Sequence, residues 1–529
     1  MADISPPAGT PATVSADGLP TWQINGVAWS QVIVGNTVYV AGSFTKARPP
    51  GSPVGTNEVT RNNLLAYNLT TGNLITTFHP SLNAQALVVA ASPDGSRIYV
   101  GGDFTTIDLQ AHSHVAAFST AGPVPGALIP TFTASVSSRV ASIVATVAIA
   151  TRPPTVYVGG SFGNSRGVTR HNAAAFSVAT GGLLAWNPNA GAAVNAMTLS
   201  PDKSRLVLGG HFTTLGLLSR VGLGAVDPTS GSTLSWSSTP LVHDSGVDSG
   251  VTSLSADGTN VYGTGYNFAL SGGTGNFEGR FALNATTGKN VWLDDCHGDS
   301  YSAVPIGGVL YSVGHSHNCA TVGAFPETTV RSYHRAIADT IGATGTLKAN
   351  TQAGFANFQG TPSPTQLDWY PDFAVGTFTG MFQGGWTVTG NSSYIVVGGE
   401  FPTVNKVKQQ GLVRFAVATI APKKIGPKTS TALTPTASKP TSTTVKLTWG
   451  TTWDPDNGIL RYSVLRDGGT TPIGSVSADS RFWKVPGPTQ TFTDTSAPTG
   501  SHTYRIQVSD TADTAGNTVT SSASNTVTV

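Results

Sequence analysis

Charged side chains are scarce in this sequence, at 11% of 529 residues. Long surface helices are normally built with Lys and Glu, so a predominantly helical fold is excluded. The formal net charge of +2 leaves no basic field for a phosphate backbone or an anionic bilayer, and nucleic acid is not an expected partner. No apolar run approaches the roughly 18 residues a membrane span needs, so membrane insertion is not expected. The opening MADISPPAGTPATVSADG has neither a basic start nor an apolar core and reads as no signal peptide. None of HExxH, a P-loop or CxxC occurs, so none of these motifs points to an enzyme or a cofactor.

What the chain does hold is Gly (62) and Pro (33), with much Thr, Ser, Val and Ala. These residues build strands and tight turns, and the length suits one large domain plus a smaller one. One phrase recurs: VYVAGSFTKA (38–47), IYVGGDFTTI (98–107), VYVGGSFGN (156–164), LVLGGHFTTL (206–215), VYGTGYNF (261–268), LYSVGHSHN (310–318) and IVVGGEFPTV (395–404). It aligns Gly42, Gly102, Gly160, Gly210, Gly265, Gly314 and Gly399, with gaps of 60, 58, 50, 55, 49 and 85 residues. A period near 50 made of short strands predicts a β-propeller, here of seven blades. Each copy sits in a four-strand meander, as in VNAMTLS, RLVLGGHF, VGLGAVD and TLSW, with turns such as SPDGS between the first two strands. The paired glycines let backbones approach closely or accommodate a bulge, and the aromatic after them packs between blades. His211 takes the place that Ser43, Asp103, Ser161 and Glu400 hold in other copies and reads as a hydrogen-bonded polar.

The expected organisation is an N-terminal segment (1–20), a seven-bladed propeller (21–417), a Pro- and Lys-bearing linker (418–440) and a fibronectin type III-like β-sandwich (441–529). Residues 10–16 are expected to supply the last outer strand and close the ring. In the C-terminal part, VKLTWG, RYSVLRDG, TFTDT and TYRIQVSD alternate, and Trp449, Tyr462 and Tyr504 suit a sandwich core with a tyrosine corner. Asp454, Asp456 and Asn457 lie in a segment too short for a calcium loop and read as a turn.

The repeat breaks down after residue 290. His297, His315, His317 and His334 fall within 38 residues, accompanied by Asp294, Asp295, Asp299, Tyr301, Tyr333 and Arg335. The long last gap adds Trp369, Tyr370 and Phe373. Cys296 and Cys319, 23 positions apart, are expected to form a disulfide, as suits an extracellular setting; two free thiols or a pair of metal ligands are the alternatives. The segment supports three readings: a metal site around His315 and His317, an acid–base site working on a sugar, or a structural cluster that doubles as a binding rim. The last is preferred, with no metal, no cofactor and no catalytic residue. The ligand-binding residues are then His297, Asp299, Tyr301, His315, His317, Tyr333, His334, Arg335, Trp369 and Tyr370.

The stretches AYNLTTGNLITTFHPSLNAQALVVAASPDGSRIYVGGDFTTI and CHGDSYS, GHSHNC, YHRA, LDWYPDF, GTFTG, GWTVTGNSSYIVVGGEF and QQGLVRF resemble a family of propeller modules. These modules occur in surface-exposed proteins of actinobacteria and in minor tail proteins of their phages. The resemblance spans nearly the whole propeller and runs on into a fibronectin-like domain. It implies architecture and carries no catalytic residue. With no export signal read at Met1, the expected member is a phage minor tail protein located in the virion tail. It would contact host-envelope glycans or a receptor and other tail proteins, and a homo-oligomer within the tail is compatible with this. A secreted bacterial adhesin, and a carbohydrate-active hydrolase or lyase using residues 294–335, are the alternatives.

Overall fold

The computed structural model describes residues 9–121, 126–149, 151–237, 241–268, 275–421, 425–485, 487, 489–510 and 517–529. The fold is all-β: the described residues form strands and three one-turn 3-10 segments at Ala320–Val322, Thr431–Leu433 and Phe482–Lys484. No helix among them is long and apolar enough to cross a membrane. Residues 1–8 of the expected N-terminal segment and 422–424 of the expected linker lie outside the described residues.

The chain divides into two compact units. The larger covers Gly18–Gln366 and Asp372–Arg414. In it, seven antiparallel sheets follow one another. Their first and second strands are Val27–Val34 with Thr37–Ser43, Ala86–Ala91 with Arg97–Gly102, Val140–Thr146 with Thr155–Gly160 and Val194–Leu199 with Leu206–Gly210. The series continues with Ser249–Ala256 and Asn260–Asn267, Ser300–Ile306 and Val309–Ser316, and Gly385–Gly390 and Tyr394–Gly399. A third strand joins each. The expected fourth strand is complete in the fifth sheet (Asn290–Asp294) and is the short Gln366–Leu367 in the sixth. In the first four sheets it shrinks to single bridges, Tyr67 to Leu74, Phe118 to Leu128, Phe176 to Leu183 and Val226 to Thr233. In the seventh, Leu19 bridges Arg414, donating its N–H to the Arg414 carbonyl at 2.7 Å.

Each first strand packs against the first strand of the next sheet, and that of the seventh packs against that of the first. Between neighbouring sheets lie apolar layers. One joins Tyr39, Phe78, Val89 and Val100; the next joins Tyr99, Phe132, Ile143 and Val158. The tyrosine of the repeat phrase meets a ring from the following segment, Tyr39 with Phe78, Tyr99 with Phe132 and Tyr157 with Trp186, at 5.0–5.3 Å. The aromatic after the glycines (Phe44, Phe104, Phe162, Phe212, Phe401) is buried. A feature the repeat reading missed is a small hairpin after the second strand, such as Thr106–Ile107 with Gln110–Ala111. Its tip, Asp108-Leu109, has φ of 49° and 67°, the left-handed pair that a two-residue hairpin turn requires.

The repeat glycine has a physical cause. In every sheet it pairs with the residue just before a one-residue register shift in the first strand. A Cβ at Gly42, Gly102, Gly160, Gly210, Gly314 or Gly399 would collide with a carbonyl oxygen of that strand or of the residue leading into it; at Gly265 it would press on the Asp244 carboxylate. The glycine is what allows the bulge.

The smaller unit holds the described residues before Gly18, Leu367–Pro371 and Phe415–Val529. Here Ser15 donates its N–H to the Ala416 carbonyl at 2.9 Å. Its C-terminal part has a three-stranded sheet, Thr436–Thr441, Thr444–Trp449 and Gln490–Asp494. A four-stranded sheet orders Gly474–Asp479, Ile459–Arg466, Tyr504–Asp510 and Thr518–Thr520. Leu433, Leu447, Trp449, Tyr462, Tyr504 and Val508 share the core. Tyr504, at the start of its strand, donates its hydroxyl to Asp494 at the end of the preceding long strand (3.0 Å). The Asp454 carboxylate accepts the Asp456 N–H at 3.0 Å, a side-chain-closed turn.

Candidate functional site

The fifth and sixth sheets carry the irregular segment. Cys296 and Cys319 are disulfide-bonded and clamp an antiparallel bridge between His297 and Asn318. Gln366 donates to both sulfurs. Beneath this clamp the buried Arg280 guanidinium pairs with Asp294 and, at 3.3 Å, with Asp339, and donates to the hydroxyls of Ser300 and Ser316. This cation fastens one sheet to the next.

On that base the structure gathers His297, Asp299, Tyr301, His315, His317 and Tyr333. His315 and His317 flank the Tyr333 ring, with centroids 5.6 and 5.9 Å away. The Asp299 N–H donates to His315 Nε2 at 3.3 Å. With Nε2 an acceptor, Nδ1 carries the proton and donates to Gln383 Oε1 (3.0 Å) and to the Tyr301 oxygen (3.1 Å). Tyr301 in turn donates to Asp299 at 3.3 Å. Burial holds His315 neutral, lowering it to about 4, and raises Asp299 to about 6.

A second group lies beside the first. His297 stacks on Phe355 at 3.8 Å, and its Nδ1 donates to Gln352 Oε1 at 2.7 Å. Burial works against the charged form of His297, but Asp295, Gln352 and Glu278 outweigh it and raise its pKa. His317, lowered to about 4 chiefly by burial, has its Nδ1 2.8 Å from a Glu327 carboxylate oxygen. Two further carboxylates back these rings. Burial first, then repulsion from neighbouring carboxylates, pushes Glu278 up to about 7 and Asp244 up to about 8. Glu278 accepts the Gly298 N–H at 2.7 Å, and Asp244 accepts those of Asn276 and Phe277.

The other expected residues have other partners. His334 packs on Phe325 at 4.4 Å and pairs in the ladder with Ser316, between His315 and His317. Arg335 lies 5.6 Å from the Tyr333 ring centroid and donates to the Phe373 carbonyl, at the margin of the cluster. Trp369 and Tyr370 belong to the smaller unit, where Trp369 meets Phe415 and Tyr370 meets Phe482 and Trp483. Both are buried, because they serve as packing rings there. Among the described residues, no three His, Cys, Asp or Glu side chains are grouped to hold a metal ion. His211 donates to the carbonyls of Gly246 and Ser249.

Sequence reading missed Glu278, Gln352, Phe355, Gln383 and Trp386. Trp386 lies 4.2 Å from Tyr301, centroid to centroid; the signal that finds it is alignment of the first strands, GWTVTG against SYSAVPI. Side by side, these residues offer aromatic faces, amides and neutral imidazoles, the groups that bind hydroxylated ligands without net charge. The chain matches no protein-family model and no curated protein.

Proposed function

We propose that the chain is a non-enzymatic binding protein: a seven-bladed β-propeller with a fibronectin type III-like sandwich, acting as a phage minor tail protein that attaches the virion to glycans of the host envelope. The cyclic packing of seven first strands supports the propeller. The three- and four-stranded sheets around Trp449 and Tyr462 support the fibronectin-like sandwich. The tail assignment rests on the resemblance of the repeat and of its His-rich stretch to the actinobacterial and phage modules. A secreted adhesin would use the same surface.

The observation that carries the binding reading is the Gln383–His315–Tyr301–Asp299 chain of hydrogen bonds set among aromatic rings. It is a rigid polar network, buried at Asp299 and Tyr301 and half-buried at His315 and Gln383, on a scaffold whose other sheets repeat one phrase. The test is labelled full-length protein on intact actinobacterial cells, with and without periodate oxidation of surface vicinal diols. Saturable binding that periodate abolishes is expected. Absence of binding, or binding indifferent to periodate, overturns the reading.

One observation favours a second reading. Glu278 and Asp299 are two buried, mutually repelling carboxylates, raised to about 7 and about 6, and a glycoside hydrolase works with two carboxyl groups, one of them kept protonated by burial. Release of new reducing ends from wall polysaccharide by the wild type, but not by Glu278→Gln, would establish it.

A further inference from the structure

The register shift in each first strand sets one residue out of the ladder: Trp29, Leu87, Ala141, Asn195, Thr252, Tyr301 and Trp386. Because the first strands neighbour one another in cyclic order, these seven positions are themselves neighbours. Asn195 donates to the Val251 carbonyl and Thr252 to that of Ser300, each reaching the next strand. Four positions carry aliphatic or small polar side chains. The three consecutive positions of the sixth, seventh and first sheets carry rings.

Those rings form one arc. Tyr301 and Trp386 are 4.2 Å apart at 32°, and Trp386 and Trp29 are 5.0 Å apart at 65°. Both indoles are partly exposed, and both are held by their N–H edges. Trp386 Nε1 donates to Glu400 Oε1 at 3.2 Å and Trp29 Nε1 to Gln85 Oε1 at 2.9 Å. Their holders are held in turn. Glu400 accepts from the Thr379 N–H and hydroxyl and from the Gln383 N–H. Gln85 donates to Asp103, which Arg139 grips with two bonds of 2.9 and 2.7 Å. Glu400 and Asp103 occupy the position directly after the paired glycines, so a repeat position that is Ser in two other copies orients a tryptophan here.

We propose that Trp29 and Trp386, backed by the buried Tyr301 ring, are a stacking platform for a neutral oligosaccharide, whose hydroxyls are met by Gln85 and Asp103 at one end and by Gln383 at the other. This rests on the binding reading above and names its ligand chemistry and residues. The C–H face of a pyranose packs on aromatic rings, while its hydroxyls need acceptors and donors at the rim. The charges beside the arc select against anionic sugars. Glu400, Asp299 and Asp103 supply three carboxylates against two cations, Arg139, which Asp103 already engages, and Arg335, which acts on Tyr301 and His315, so the balance beside the arc is negative by one charge. A uronate or phosphate ligand would meet net repulsion, whereas a neutral sugar donates to the same oxygens.

The experiment titrates the full chain with neutral probes (maltohexaose, cellohexaose and mannohexaose) and one anionic probe (oligogalacturonate), following tryptophan fluorescence and calorimetric heat. At least one neutral probe is expected to bind, with oligogalacturonate silent. Trp386→Ala and Trp29→Ala each weaken binding about tenfold or more, as truncating a central aromatic contact does. Trp386→Phe, which keeps a ring, retains most of the affinity and guards against a misfolded alanine variant. Stronger binding of oligogalacturonate, no neutral binding at millimolar concentration, or alanine variants that bind like the wild type would overturn the platform. Intact-cell binding that survives in those alanine variants would overturn it while leaving the attachment reading standing; absence of cell binding by the wild type would overturn both.

Discussion

At the residue scale, two kinds of position decide how the chain folds and titrates. The first is the repeat glycine. Gly210 faces the Ala193 carbonyl at the bulge, whereas a methyl at Gly342 would meet nothing within 4 Å, and Gly342 has no left-handed φ. Gly210→Ala should therefore cost roughly 2 kcal/mol or more, and Gly342→Ala should stay within about 0.5 kcal/mol; chemical unfolding of the two variants checks this. The second kind is the buried titratable group. Glu278 and Asp244 are raised to about 7 and 8, so their stabilisation is present at low pH and is lost as pH rises through those values. His315, His317 and His334 are lowered to about 4, so theirs is complete above the ordinary histidine value and is lost as pH falls toward 4. The sum predicts a stability that declines from about pH 6.5 to 8, where the unfolded chain binds fewer protons than the native one. Urea unfolding across that range should show the decline, and Glu278→Gln should flatten part of it. A rise in stability over the same interval contradicts the assignment.

At the element scale, the repeat phrase was legible because one glycine and one aromatic recur at fixed offsets, and both follow from the bulge and the packing between sheets. The bulged residue itself was not legible. Its backbone role is constant, but its side chain is Trp, Leu, Ala, Asn, Thr or Tyr, so no residue type recurs to reveal it. The His-rich stretch pointed to the right sheets, yet Gln352, Phe355 and Gln383 reach the cluster from far along the chain, which spacing does not encode. Trp369 and Tyr370 looked like part of the cluster by sequence proximity, but their partners are Phe415, Phe482 and Trp483. The fifth and sixth sheets also share Arg280. Arg280→Met would leave Asp294 and Asp339 facing each other, both fully buried, and should destabilise the chain by about 3–5 kcal/mol. Thermal unfolding measures it, and a loss below about 1 kcal/mol would show that the cation is dispensable.

At the scale of the whole molecule, seven first strands meet in cyclic order while the side chains they set out are unlike. Repetition accounts for the scaffold, and its interruption at the sixth, seventh and first sheets accounts for the proposed binding surface. The central claim is that binding to the host surface belongs to this sector rather than to the array as a whole. The most direct measurement is quantitative binding to intact actinobacterial cells by two full-length variants altered at the same bulge position: Trp386→Ala in the aromatic arc and Asn195→Ala in the fourth sheet. Trp386→Ala is predicted to lose most of its cell binding while Asn195→Ala binds as the wild type does. Equal retention, or equal loss, by the two variants would contradict the claim.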